Sequence, residues 1–283
     1  MTTSIHTNTS AMIALQNLNR TNDQLAATQN RVNTGLKVQG AKDNAAVWAV
    51  AQGQRADKGS LEAVTTSLNR ATSIADVSLA AGEQISDLLI ELKAKATAAA
   101  DPSSTTATRA SYDDEFQALL KSIQSFADNA IFDGANILDG TATATLNFLA
   151  SADGTETIAL NRQDLTTAGL GLAASAGPPV VTAPDLTSQP NATAALARVN
   201  AAIATVGDRL AALGAEAKQI ERHTTYVSKL SDALESGIGN LVDADLAKES
   251  ARLQALQVQQ QLGVQALSIA NQAPQVILSL FQG

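Results

Sequence analysis

The chain has 283 residues, a formal net charge of −8 and no cysteine. Its acidity argues against nucleic-acid binding, because that binding draws most of its affinity from Lys and Arg side chains that neutralise phosphates. The absence of cysteine excludes disulfides, thiol catalysis and Cys-ligated metal sites. Apolar residues make up 45% of the chain but aromatic residues only 3%, so we expect thin cores built by helices that pack on helices. The chain also lacks an apolar run long enough to insert into a membrane and a recognisable secretory signal at its start.

The first predicted helix ends at Gly35 and Gly40. Apolar and amide side chains recur along it at alternating spacings of three and four residues, which is typical of a helix with one buried face. This seam consists of Ala11, Leu15, Leu18, Asn22, Leu25, Gln29, Val32 and Leu36. The amides on it, together with Gln260, either control the register of helix pairing, because a buried amide disfavours slipped pairs, or are ordinary edge positions.

Two more helical seams precede the middle of the chain. The first spans residues 61–92 and fades before Asp101-Pro102, which reads as a helix stop. The second is shorter and spans residues 112–126. Trp48, the only tryptophan, lies among alanines and valines ahead of them. We interpret it as a packing anchor at a helix or subunit contact rather than as a ligand platform.

The middle of the chain changes character. Asp-Gly dipeptides that begin at Asp133, Asp139 and Asp153 predict turns, and they lack the alternating carboxylate spacing that a calcium loop requires. Apolar residues alternate on both sides of the last dipeptide, which predicts a β-hairpin. Residues 169–190 are rich in Gly, Pro, Ala and Ser, and they predict an irregular surface segment.

The longest seam runs from residue 196 to residue 241 without a break, which predicts a helix about 70 Å long. The register then slips over residues 242–245, where we place a joint. A last seam uses Leu246, Leu253, Leu256, Gln260 and Leu267, and Pro274 is expected to end or kink that helix. The predicted fold is therefore mainly α, a long antiparallel coiled-coil helical bundle with a terminal helix pair and a small β-hairpin region.

Both ends of the chain are amphipathic and free of charge. No Asp, Glu, Lys or Arg occurs in residues 1–19 or 253–283, and the polar faces there carry Gln, Asn, Ser and Thr. An unpaired buried charge is costly, whereas a side-chain amide can be satisfied by a hydrogen bond. We therefore expect both ends to be buried against other chains.

Catalytic chemistry has little support in the sequence. The two histidines are His6, near the start, and His223, which lies beside Glu221 and Arg222 and is predicted to be solvated. Motifs for a zinc helix, a phosphate-binding glycine loop or a nucleophile elbow are absent. We expect no enzyme activity, no cofactor and no metal site.

Two pairs of motifs carry a family resemblance. Residues 31–46, RVNTGLKVQGAKDNAA, with the opening IHTNTS at residues 5–10, resemble the N-terminal signature of bacterial flagellin. Residues 243–249, DADLAKE, and 270–278, ANQAPQVIL, are similar to its C-terminal signature. The resemblance covers roughly residues 1–130 and 190–283. Asn44 stands where the family more usually has a second Asp, and Val47-Trp48 stands where it has Gly-Leu.

The resemblance implies an extracellular subunit of the bacterial flagellar filament. Such subunits polymerise with copies of themselves and meet hook-associated and cap proteins. They leave the cell unfolded through the flagellar type III export apparatus, with the help of a chaperone. They neither bind nucleic acid nor insert into a membrane. The implied domains are an N-terminal inner-tube helix (1–44), outer-tube helices (45–130), a β-hairpin and surface-loop region (131–190), a C-terminal outer-tube helix (191–241) and a C-terminal inner-tube helix (242–283).

Two sets of residues are candidates for the assembly function. The expected self-assembly residues of the inner tube are Leu15, Leu18, Leu25, Val32, Leu246, Leu253, Leu256, Gln260 and Leu267. The expected joint residues are Gly35, Lys42, Asp43, Asn44, Trp48, Asp243 and Asp245. The alternatives are a hook–filament junction protein, which shares the terminal design, and a secreted coiled-coil adhesin.

Overall fold

The computed structural model describes residues 7–141, 145–173 and 183–281, and for residues 273–281 it describes the backbone alone. The described residues form five helices and two antiparallel sheets of two strands each. The helices are α1 (Thr9–Thr34), α2 (Ala45–Ala100), α3 (Thr106–Asn129), α4 (Gln189–Val242) and α5 (Leu246–Phe281). The strands are β1 (Ile131–Phe132), β2 (Ala135–Asn136), β3 (Leu146–Leu149) and β4 (Thr157–Leu160). The predicted mainly α class with a small hairpin region is confirmed.

The chain divides into two compact units. The central unit is Asp57–Asp232, and the terminal unit combines Met1–Ala56 with Ala233–Gly283. Helices α2 and α4 are each more than 50 residues long. Each helix crosses a boundary between the units and so contributes residues to both.

The core of the central unit follows the predicted heptad pattern. On α2, every member of the predicted seam is buried, and burial continues through Ala96 and Ala99. The seam consists of Leu61, Val64, Leu68, Ala71, Ala75, Ser78, Gly82, Ile85, Leu89 and Leu92. Ser78 is tolerated inside this seam because its hydroxyl donates to the carbonyl of Ile74 at 2.7 Å. On α4, burial recurs every seventh residue at Val199, Val206, Leu213, Ile220 and Val227. This periodicity is that of helices which pack along a continuous apolar stripe.

Helix α3 follows its predicted seam, Tyr112, Phe116, Leu119, Ile123 and Phe126, only in part, because Leu120 is buried while Leu119 is half-buried. Phe116 and Ile123 are fully buried, whereas Phe126 is 41% exposed and Ala127 is buried in its place. The helix begins at a Thr105 cap, whose hydroxyl accepts the backbone N–H of Thr108. The buried seam therefore ends at Ala127, one position after the bulkier Phe126.

Both turn-rich segments form hairpins. Asp133 and Gly134 join β1 to β2 with φ values of 49° and 73°, the left-handed pair that a two-residue hairpin turn needs. In the second hairpin Phe148 pairs with Ile158, so the predicted alternation is confirmed. The hydroxyl of Ser151 and the N–H and hydroxyl of Thr155 hold the pKa of Asp153, in the turn, below its usual value.

The β3–β4 hairpin is fastened to helices of the central unit. His223 Nε2 lies 2.6 Å from the carbonyl oxygen of Ala150, and the N–H of Leu149 donates to Ser67 Oγ at 3.1 Å. The expectation that His223 is solvated is wrong, because its ring is half-buried and takes part in this bond.

The segment expected to be irregular surface is anchored at both of its ends. Leu170 and Leu172 on one side and Leu186 on the other are buried, so these positions are core rather than surface. The free energy gained by burying a leucine side chain outweighs the cost of ordering the irregular backbone around it. Residues 174–182 lie outside the described residues.

Of the two outcomes expected at Pro274, an end or a kink of the helix, the end is wrong. The helix continues to Phe281. A proline removes the N–H that would bond the carbonyl four residues earlier, which is that of Ala270. This carbonyl instead accepts the side-chain Nδ2–H of Asn8 at 2.7 Å, so the group that proline deprives of a partner is satisfied from another helix.

Candidate self-assembly site

The terminal unit contains an antiparallel pair of helices, α1 and α5, which we call the terminal pair. At one end of it, Asn8 reaches the carbonyl of Ala270. At the other end, the guanidinium of Arg31 lies 3.5 Å from the carboxylate of Glu249. As the residue number rises on α1 the partner number falls on α5, so the start of the first helix and the C-terminal half of the last one lie side by side.

Two contacts hold the middle of the terminal pair. The side-chain amide of Gln260 donates to Asn22 Oδ1 at 2.8 Å, which joins two of the amides that the sequence singles out. Gly263 has no side chain, and a Cβ placed there would lie 3.2 Å from Leu18 Cδ1. The glycine thus permits close approach of the two helices, and a leucine of α1 fills the space.

The facing side chains of the terminal pair recur at three- and four-residue spacing. On α5 the buried or half-buried positions are Glu249, Leu253, Leu256, Gln260, Gly263, Leu267 and Ala270. On α1 they include Ala11, Ala14, Leu18, Asn22, Leu25, Thr28 and Val32. The structure therefore brings Leu18, Leu25, Val32, Leu253, Leu256, Gln260 and Leu267 of the predicted set onto one seam.

Three predicted seam positions face outward instead. Leu15 is 47% exposed and Leu246 is 50% exposed, and Gln29 is exposed while its neighbour Thr28 is buried. Leu246 is the first residue of α5, directly after its cap, so the seam begins one turn later at Glu249. On α1, the predicted seam starts with a spacing of four residues and then three, whereas the observed seam starts with three and then four. The two seams therefore differ by a single residue, at Leu15 and at Gln29.

The outward faces of the terminal pair carry exposed apolar side chains among uncharged polar ones. Leu262, Val264 and Ile269 on α5 are exposed by 57%, 54% and 69%. Further exposed apolar side chains of the pair are Met12, Ile13, Leu15, Leu246 and Val258. Exposed apolar surface of this extent, in residues without charge, marks a site that contacts another molecule.

The joint, residues 35–45 and 242–245, is closed by backbone hydrogen bonds. Gly35 ends α1 with φ of 71°, a left-handed conformation that glycine adopts without steric cost. Its carbonyl accepts the N–H of Ala244 at 2.8 Å, and the carbonyl of Val242 accepts the N–H groups of Lys37 and Val38 at 2.6 and 3.2 Å. Leu36 and Asp243 form an isolated antiparallel bridge.

Short polar side chains of the joint cap the helices that leave it. Asn44 Oδ1 accepts the N–H of Val47 at 3.1 Å, and Asp245 Oδ1 accepts the N–H of Lys248 at 3.1 Å. The amide of Asn44 therefore caps α2 with an oxygen, as a carboxylate would. Asp43 Oδ2 accepts the N–H of Gln39 at 2.9 Å, which fixes the turn before the helix, and Lys42 is exposed on that turn.

Trp48 packs at the joint, as the sequence predicts for a helix contact. It lies with Val47, Leu36 and Leu241 against a small core. The residues of that core are Val38, Ala51, Ile238 and Val242. The joint residues Gly35, Trp48 and Asp243 thus converge, whereas Lys42 remains outside.

Sequence reasoning missed two parts of the terminal pair. Glu249 is buried, and while one carboxylate oxygen faces Arg31, the other has no hydrogen-bond partner among the described residues. Asn8 was also missed as a cap, although Asn directly before a helical run is a standard start signal. Its Oδ1 accepts the N–H of Ala11 at 3.0 Å.

Among the described residues, no cluster of three or more His, Asp or Glu side chains has the arrangement of a metal site. In the same part of the chain, none of the helices combines the length and the hydropathy of a membrane span.

Comparison with known proteins identifies both ends. Residues 5–143 match the bacterial flagellin N-terminal helical region, and residues 196–281 match the bacterial flagellin C-terminal helical region. Flagellin FljM of Caulobacter vibrioides is 48% identical over 279 residues, which cover 99% of this chain and 98% of that protein. The flagellin of Brucella melitensis is 39% identical over 288 residues, covering 99% of each.

A solved structure described as that of a hook-associated flagellar protein from Vibrio parahaemolyticus shares the fold. Its TM-score is 0.57 at 11% sequence identity, and the match covers 71% of this chain and all of that one. At this identity the likeness concerns the fold alone. The full-length relatives favour a filament subunit over a hook–filament junction protein or an adhesin. The chain therefore belongs to the bacterial flagellin family, and it is an extracellular structural subunit of the flagellar filament.

Proposed function

We propose that the subunits polymerise through the outward face of the terminal pair, which is free of charge in residues 7–19 and 253–272, and that this face becomes buried between subunits of an inner tube. The observation that carries this proposal is the exposed apolar row on helices α1 and α5, residues that an isolated chain leaves in water. Burying each such side chain stabilises the polymer by at most roughly 1.5–3 kcal/mol, because about half of each side chain is already buried in the isolated chain. The absence of charge removes the desolvation cost that Lys or Glu would add there.

The predicted self-assembly residues then divide between two roles. Leu15 and Leu246, which are exposed, contact neighbouring subunits. Leu18, Leu25, Val32, Leu253, Leu256, Gln260 and Leu267 hold the two helices of one subunit together so that the outward face is presented as one surface. The inner-tube domains are 1–44 and 242–283, and the outer-tube domains are 45–130 and 191–241.

The joint links these parts in our proposal. Its closing bonds run between backbone atoms, for example from Ala244 to Gly35, so its geometry depends little on side-chain chemistry. The joint residues Lys42, Asp43, Asn44 and Asp245 serve chiefly to turn the chain and to start helices. A filament that transmits torque needs a defined connection between its inner and outer parts, and in our proposal the joint is that connection.

The further partners of the chain are those that a flagellar subunit requires. We infer contacts with hook-associated and cap proteins at the filament ends, and passage through the flagellar export apparatus with a chaperone. The support for this inference is the match to flagellins along almost the whole chain.

The test places a single charge on the outward face. Ile269→Lys is expected to abolish polymerisation, because every added subunit repeats the buried charge. Ile269→Gln is the matched control, since it loses the same apolar group but adds an amide of the kind already abundant on this face. Ile269 is 69% exposed, so both monomers should keep wild-type helical content by circular dichroism. Electron microscopy that shows long tubes of the Lys variant would refute the proposal.

A further inference from the structure

The hydrogen bond between Asn8 and Ala270 has an unusual acceptor. In an uninterrupted helix, each carbonyl accepts the N–H four residues later. Pro274 has no N–H, so the carbonyl of Ala270 has no partner within α5. It accepts the Nδ2–H of Asn8 at 2.7 Å. Ala270 is half-buried on the facing side of α5, where an unpaired carbonyl is costly.

Asn8 uses both ends of its amide. Its Oδ1 accepts the N–H of Ala11 at 3.0 Å and its backbone carbonyl accepts the N–H of Met12 at 3.1 Å, which start α1. Its Nδ2 bonds the carbonyl of Ala270. Asp supplies the capping oxygen but no donor, and Ser and Thr are shorter, so asparagine is the residue type that performs both tasks at this reach.

Only one carbonyl of α5 loses its helical partner to a proline. Pro274 is the only proline between residues 246 and 281, so within this helix only the carbonyl of Ala270 is deprived of its partner by a proline. The apolar seam alone repeats every seven residues, and a shift of α5 by one heptad would again place small and apolar residues opposite one another. After such a shift, Asn8 would face a carbonyl already bonded within the helix.

We propose that Asn8 and the carbonyl freed by Pro274 form a register key, which fixes the alignment of α1 on α5 in the terminal pair. Pro274 is thus not a helix terminator but the residue that creates the acceptor. Asn8 is the positioning residue that donates a hydrogen bond to this acceptor. The bond between Gln260 and Asn22 is consistent with the same register. This inference deepens the proposed assembly function and rests on it, because a subunit with a slipped pair presents a displaced outward face to its neighbours.

The register can be measured with cysteine pairs, because the chain has no cysteine of its own. A Cβ built on Gly263 would lie 3.9 Å from Leu18 Cβ, close to the spacing of about 3.8 Å in disulfides. Leu18→Cys with Gly263→Cys therefore reports the observed register. Leu18→Cys with Leu256→Cys, or with Ala270→Cys, reports a shift of one heptad in either direction.

The test is a double-mutant cycle in the full chain, read by the ratio of shifted to observed cross-links. Asn8→Asp keeps the capping oxygen but places an oxygen against the Ala270 carbonyl, and we expect the ratio to rise about fivefold, the effect of one hydrogen bond. Pro274→Ala restores an N–H that occupies this carbonyl. In that background, Asn8→Asp should change the ratio by less than about twofold.

Two results would overturn the register key. If Asn8→Asp leaves the ratio unchanged, Asn8 acts only as a helix cap, because Asp caps as well as Asn does. If the ratio rises equally with Pro274 and with Pro274→Ala, the two residues are not coupled. Electron microscopy of the unsubstituted protein separates this from the proposed function. Absent tubes count against polymerisation through the terminal pair, whereas tubes with zero coupling count against the key alone.

Discussion

Gln260 donates its side-chain amide to Asn22 Oδ1 across 2.8 Å, which places a polar pair in the middle of a largely apolar seam. Removing one partner leaves the other half-buried and unpaired, whereas replacing both by leucine leaves nothing unsatisfied. We therefore expect Asn22→Leu to lower the stability of the terminal pair by about 1 kcal/mol. The double variant with Gln260→Leu should recover this loss. Thermal denaturation of polymer made from each variant measures it, and a double variant that melts below the single one would contradict the expectation.

A second prediction concerns Leu267, which is half-buried on the facing side of α5. Leu267→Lys removes apolar burial worth up to about 1.5–3 kcal/mol and adds a charge without a partner, so seeded polymerisation should fail. Leu267→Met nearly conserves volume and should polymerise. Sedimentation of seeded polymer compares the two with wild type. Pelleting of the Lys variant at the wild-type level would mean that polymerisation does not depend on the packing of this side of α5.

Gly35 gives a third prediction, because it is left-handed with φ of 71°. Gly35→Ala should cost roughly 1–2 kcal/mol, the penalty for a side chain in that conformation. Hydrogen exchange at the amides of Lys37 and Ala244, which close the joint, should then accelerate by about 5- to 30-fold. Gly40→Ala is the control, since a Cβ there meets no atom within 4 Å and its φ is not positive. Equal acceleration in both variants would contradict the cause given.

The fourth prediction follows from the uneven distribution of the core. In α1 Thr28 alone is buried, whereas the seam of α2 in the central unit is buried along its whole length. Helices with so little burial open readily. Limited proteolysis of dilute monomer should cut within residues 7–45 and beyond 240 while it spares the helices of 61–126 and 196–230. Ends that resist protease as long as this core does would disprove it.

Periodicity sufficed for the long helices because burial of α2 follows one unbroken heptad stripe. It failed where the stripe is ambiguous by one residue. Leu15 and Gln29 are exposed while Ala14 and Thr28 face the partner helix. No local pattern distinguishes these phases, since the partner surface decides between them.

Pro274 shows a different limit of sequence reasoning. A proline in a helical run normally indicates a stop, but its cost falls when another group bonds the freed carbonyl. That group belongs to Asn8, 266 positions away in the sequence, so only the pairing of the two ends reveals it. Turns and helix caps depend on local chemistry, so the sequence can indicate joint residues such as Gly35, Asn44 and Asp245, whereas the exposed Lys42 only lies between them.

The position of Trp48 has a spectroscopic consequence. It is the only tryptophan of the chain, and its indole packs at the joint with Val47, Leu36 and Leu241. Fluorescence excited selectively in indole therefore arises from this one place. Its emission wavelength and its accessibility to a quencher follow the hydration of the joint, so each subunit carries an intrinsic optical reporter of how tightly the joint is packed, without a label and with no second tryptophan to subtract.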